Sequence, residues 1–176
     1  MKFRTFLFAA IAISSFSASI SAQGKKAPKF TSIYTSLATT CRSYAGSGGT
    51  DGYSICKGPS DYQVRIYYSA STTQINAERK GTDDNFPITT AAIDLEWSRT
   101  KLEWRLANGK PFAVIMRSPI YGEPVNGEYF GKVTGEELVV TGLLGFEKLK
   151  TSIDGKKKGA NELAREAADS EYLAKK

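Results

Sequence analysis

The chain has 176 residues, with 24 lysines and arginines against 18 aspartates and glutamates, no histidine and two cysteines. That length predicts one domain able to bury a sizeable core without metals or dense disulfides. The missing histidine excludes Ser-His-Asp hydrolysis, the commonest general base and the usual zinc ligand sets.

Lys2 and Arg4 precede an apolar run from Phe6 to Ile13, and a small-residue tract ends at Ser21 and Ala22. This is the layout of a secretory signal peptide over 1–22, too short to span a membrane. Residues 23–29 then form a basic arm containing Pro28, and a single β-rich domain is expected over 30–176. No cysteine follows the apolar run closely enough for lipid attachment, and no later stretch approaches the length of a transmembrane segment. The expected location is the periplasm or the medium.

Cys41 and Cys56 flank a loop of about fourteen residues, and in an oxidising compartment the simplest reading of such a pair is a disulfide. A free nucleophilic cysteine would lack a histidine partner. The glycine-rich loop Gly46 to Gly52 between them lacks the lysine and hydroxyl residue of a phosphate-binding loop.

Tyr62, Val64, Ile66 and Tyr68 alternate with Gln63, Arg65, Tyr67 and Ser69, which predicts a strand, and Thr72 to Lys80 reads as its return. Leu102, Trp104 and Leu106 alternate in the same way. Asn108-Gly109, which tolerates the positive φ angles of a tight hairpin turn, leads back through Phe112, Val114 and Met116. A further antiparallel pair is expected from Tyr129 to Thr134 and from Leu138 to Leu143, turning at Gly135-Glu136. From Asn161, a candidate cap, Leu163, Ala164, Ala167 and Ala168 recur at helical spacing and predict a terminal amphipathic helix docked on its own domain. The expected class is α+β: an antiparallel sheet or partly closed barrel of about six to eight strands followed by that helix.

Ser98-Arg99-Thr100-Lys101 matches the bare S-x-x-K pattern of penicillin-recognising enzymes, but it runs into a predicted strand and its companion motifs are absent. Carboxylate chemistry remains. Asp94 and Glu96 would share a face if extended, whereas Asp83-Asp84 and Glu136-Glu137 read as loop and turn acids. No EF-hand spacing occurs, and neither a metal nor a cofactor is expected. Tyr62, Tyr67, Tyr68 and Arg65, or Trp97 and Trp104, offer aromatic contacts, although alternation sends about half of such rings to the core. Arg65 and Tyr67, opposite Val64 and Ile66, are the binding candidates. Lysines cluster at Lys25, Lys26 and Lys29, at Lys148 and Lys150, at Lys156 to Lys158, and at Lys175 and Lys176. These read as solvated segments, with weak contact to an anionic envelope as the second reading and no specific nucleic acid.

Tyr34-Thr35-Ser36-Leu37 before Cys41, Cys56-Lys57-Gly58 with Tyr62 beyond, Gly109-Lys110-Pro111, and Gly159-Ala160-Asn161-Glu162 leading to Ala164-Arg165 and Ala168-Asp169 resemble a group of small exported bacterial proteins of unknown function. The resemblance implies a bacterial, export-directed, disulfide-stapled domain and transfers no activity or site residue. Members often carry two more cysteines in the second half, which this chain lacks. The functional expectation is a non-enzymatic binding or interaction module whose partner is a protein or envelope component, with enzyme inhibition as one form of it. The alternative is a small envelope hydrolase using Asp94 and Glu96.

Overall fold

A computed structural model describes residues 26–46, 52–92 and 100–175. Among these the chain forms β1 (Phe30–Ser36), β2 (Cys41–Ala45), β3 (Gly52–Lys57), β4 (Tyr62–Tyr68), β5 (Thr72–Arg79), β6 (Asn85–Ala92), β7 (Lys101–Ala107), β8 (Lys110–Tyr121), β9 (Val133–Gly142), β10 (Lys150–Asp154) and α1 (Ala160–Ala174). Two five-stranded antiparallel sheets result, ordered β1-β7-β8-β9-β10 and β2-β3-β4-β5-β6. The signal peptide expected over 1–22 lies outside the described residues.

The order of layers follows from β8. Its run Phe112 to Met116 is buried throughout, so both of its faces meet a core. Val114 and Met116 point between the sheets with Trp104, Val64, Ile66 and Ile75. Ala113 and Ile115 point the other way, with Leu138 and Val140, against Ala160, Ala164 and Ala168 of α1. The molecule is therefore stacked as sheet, sheet and helix, consistent with the α+β class. The partly closed barrel of six to eight strands is corrected to ten strands in two open sheets among the described residues. A barrel has one interior, whereas β8 borders two cores.

Both central hairpins form where expected. Asn108 and Gly109 take φ of 51° and 80° between β7 and β8, and β4 pairs with β5 along its whole length. The turn placed at Gly135-Glu136 does not exist. Strand β9 runs straight through it, with Gly135 opposite Ile120 and Glu136 opposite Pro119. The chain reverses earlier, near Asn126 and Gly127, whose φ values of 55° and 78° are positive. Glu136 and Glu137 are consequently strand residues, and Glu136 accepts a hydrogen bond from Arg117.

Helix α1 begins as expected within a residue, but Asn161 does not cap it. Gly159 holds the cap position in the left-handed region, φ 73°, with no side-chain cap. The Oδ1 of Asn161 instead accepts from Arg117 Nη2 at 3.4 Å. The alanine stripe lets the helix approach the sheet closely, and ion pairs fix its position. Arg105 donates to both carboxylate oxygens of Asp169, at 2.7 and 2.5 Å. Arg165 donates to both oxygens of Glu103, at 2.7 and 3.1 Å.

Burial by itself would raise the Glu103 carboxyl, but hydrogen bonds from Arg165 and Ser32 outweigh it and hold the group below the ordinary glutamate range. A carboxyl lowered by folding stabilises the protein fully above its unfolded value, about 4.3, and loses that contribution as pH falls through the folded value. Melting temperature should therefore drop on acidification from about pH 6 to about pH 3, and Glu103→Gln should flatten part of that drop. An unchanged acid limb in the variant would show that this pair does not govern docking of the helix.

Candidate binding face on the uncovered sheet

The sheet β2-β3-β4-β5-β6 packs one face on the inter-sheet core, and no described element covers the other. Alternation along β4 decides which residues appear there: Tyr62, Val64 and Ile66 go inward, Gln63, Arg65 and Tyr67 outward. Register sets the neighbours. Tyr44, Tyr53, Tyr67 and Gln74 form one row across four strands, while Arg42, Ile55, Arg65 and Asn76 form the next.

The tyrosines of the first row are linked into a stack through Arg65 of the second. The Tyr44 and Tyr53 rings lie 4.9 Å apart and nearly parallel, at 17°. The Arg65 guanidinium sits 4.8 Å from the Tyr53 ring centre and 5.7 Å from that of Tyr67. Glu78 of β5 locks this arrangement from beneath. It accepts from Arg65 Nε at 2.8 Å, from Tyr67 Oη at 3.1 Å and from Gln63 Nε2 at 3.2 Å. The carboxylate holds Arg65 in its charged form. Burial, and then the bond to Glu78, push the Tyr67 phenol up, so at neutral pH it remains a hydrogen-bond donor.

Glu78 thus accepts from three donors at once and fixes the side chains around it. Tyr44 is 43% exposed and Tyr67 37% exposed, so part of each side chain faces solvent. Beside Arg65, Asn76 is buried at a register shift between β5 and β6, and its Oδ1 has no hydrogen-bond partner. Arg42 and Lys57 are exposed on the same face.

Arg65 and Tyr67, singled out from alternation, thus lie together, and the structure adds Tyr44, Tyr53, Gln63 and Glu78. The disulfide carried the signal for two of these. Cys41 stands opposite Cys56 and is bonded to it, so antiparallel pairing sets Tyr44, three residues on, opposite Tyr53, three residues back. Other aromatic candidates are core residues: Tyr62 packs 5.8 Å from Trp104, whose Nε1 donates to Thr35 Oγ1 at 2.9 Å. Tyr68 turns inward as well, against that core. Asp94, Glu96, Trp97, Ser98 and Arg99, and most of the Gly46 to Gly52 loop, fall outside the described residues. Asp84, in the turn after β5, pairs with Arg79 at 3.0 Å. Among the described residues no group of three or more histidines, cysteines or acids is placed to hold a metal, and no helix is long and apolar enough to cross a membrane. Neither family models, nor curated proteins, nor solved structures give a match to this chain.

Proposed function

We propose that the protein is an exported, non-enzymatic binding module that docks a partner protein through the uncovered sheet face around Arg65 and Tyr67. The carrying observation is the Tyr44–Tyr53–Arg65–Tyr67 stack, pre-set by Glu78 on a sheet face that no described element covers. Immobilised tyrosine and arginine side chains lose little entropy on binding, which is why these residue types dominate interface hot spots.

The geometry favours a protein surface over a sugar. A saccharide stacks on exposed ring faces, whereas Tyr53 lies between Tyr44 and the guanidinium, and Tyr67 turns a face to that same guanidinium. The exposed parts of Tyr44 and Tyr67 and the cationic groups beside them remain. Arg42 and Lys57 add positive charge while Glu78 is internally neutralised, so the partner should present carboxylates. The expected leader, the disulfide and the likeness to small exported bacterial proteins support an extracytoplasmic setting. The hydrolase alternative rests on Asp94 and Glu96 and gains nothing from the described residues.

Affinity capture from an envelope extract, followed by titration of the purified partner, tests the reading. Arg65→Ala and Tyr67→Ala should each weaken binding at least about tenfold, roughly 1.4 kcal/mol, without loss of fold. A partner that binds both variants as tightly as the native chain would dismiss this face as the site.

A further inference from the structure

On the helix side of the molecule, a cavity of about 340 Å³ opens where the first turns of α1 pass over β1, β7 and β8. Its floor is apolar, formed by Ile115 and Leu138, which are 2% and 4% exposed. Its walls carry Lys101, Arg117 and Arg165 against one acid, Glu103.

The hydrogen bonds already made inside the wall decide what it can accept. Both Glu103 oxygens are taken, by Arg165 and by Ser32 Oγ. Asn161 Oδ1 is taken by Arg117, and the Tyr34 phenol oxygen accepts from Arg165 Nη2 at 3.1 Å. Each of these oxygens already accepts at least one hydrogen bond. The hydrogens still to be given are the Tyr34 hydroxyl hydrogen, the Asn161 amide hydrogens and those of the Lys101 ammonium, with the Thr100 hydroxyl able to donate or accept. Arg165 is balanced by Glu103, and Arg117 by Glu136. Lys101, exposed at the start of β7, makes no ion pair with any described acid, so among the described residues its charge is the uncompensated one.

We propose that this cavity binds a small organic anion, its oxyanion group held by Lys101, Tyr34 and Asn161 and its apolar body resting on Ile115 and Leu138. The volume lies in the range of small-molecule sites, and a rim with three cationic side chains against one acid, above an apolar floor, favours an anionic head on a hydrophobic body. The head is a carboxylate or a phosphate. This inference is independent of the sheet face on the other side of the molecule.

Backbone-amide NMR titrations of the chain as exported, with benzoate, phenyl phosphate, inorganic phosphate and benzamide, test it. Benzoate or phenyl phosphate should shift the amides of Thr100, Lys101 and Asn161 saturably, and the tighter of the two assigns the head group. Benzamide should leave them unmoved. Lys101→Met should weaken the anion at least about tenfold at unchanged melting temperature, and Tyr34→Phe should weaken it several-fold. The proposal is overturned if neither organic anion moves these amides, if benzamide moves them equally, or if Lys101→Met binds like the native chain. Inorganic phosphate binding as tightly as phenyl phosphate would overturn the part assigned to the apolar floor.

Discussion

Trp104→Ala is expected to destabilise the fold by about 3–5 kcal/mol, a large share of the roughly 5–15 kcal/mol available to a domain of this kind. The indole is fully buried and joins structures that are distant in sequence. Its ring lies 5.8 Å from that of Tyr62 across the two sheets. A Cβ added to Gly58 would come within 2.8 Å of its Cζ2, which shows how closely the chain between β3 and β4 packs on it. Its Nε1 donates to Thr35 Oγ1, which in turn donates to the Lys57 carbonyl at 3.0 Å, so one side chain organises β1 and the end of β3. Alanine removes the ring, leaves a cavity between the sheets and takes the donor from a buried hydroxyl. Trp104→Phe keeps most of the volume and loses only the hydrogen bond and part of the contact, so it should cost clearly less. Chemical denaturation would show a lower midpoint at unchanged slope for both variants, in that order. A loss below about 1 kcal/mol for alanine would mean that the sheets are not held together at this point.

Local periodicity made the hairpins legible, and the layers were hidden for the same reason. Alternation along Tyr62–Tyr68 and Leu102–Leu106 marks half-buried strands, and Asn108-Gly109 marks their most constrained turn. The run Phe112 to Met116 is apolar on both faces, which tells a reader that it is central without saying what lies on either side. Strands β2 and β10 were hidden because they are edge strands with mostly polar, exposed side chains. The Gly135-Glu136 error has a local cause too. A glycine beside an acid suggests a turn, but the stronger Asn126-Gly127 signal a few residues earlier takes the reversal and leaves Gly135 inside a strand.

At the candidate face, alternation distinguished Arg65 and Tyr67 from their inward neighbours, yet it could not supply partners from other strands. Those come from register. The Cys41–Cys56 pair fixes the register of β2 on β3, the turn at Pro59 to Tyr62 that of β3 on β4, and the Ser69 to Thr72 turn that of β4 on β5, so Tyr53 and Glu78 become neighbours of Arg65 only once the last two pairings are drawn. The small-anion cavity was further out of reach. Tyr34, Lys101, Asn161 and Arg165 meet there through the docking of α1 on the sheet, a contact that spans most of the chain and leaves no local pattern.

Loss of the Cys41–Cys56 bridge is expected to cost about 3 kcal/mol, the chain-entropy value for a loop of this length. The effect should be concentrated in one strand. Four of the five residues of β2 are exposed and only Cys41 packs on the inter-sheet core, so little apolar burial holds this edge in place. Its remaining side-chain ties are the bond between the exposed Ser43 hydroxyl and the buried Ser54 hydroxyl at 2.9 Å and the partly exposed Tyr44–Tyr53 stack, two contacts that are weak without the covalent link. Reduction, or a Cys41→Ser, Cys56→Ser double variant, should therefore lower the denaturation midpoint and release amide protection first in β2 and β3. The layer of β7, β8 and α1 should keep its protection, because its core and ion pairs lie elsewhere. Since Tyr44 is one end of the aromatic stack, the same change should weaken binding at the Arg65–Tyr67 face more than its global stability cost alone would produce. Equal loss of protection in all strands would show instead that β2 unfolds only with the whole domain, and that the bridge acts on the fold as a unit and not on this edge.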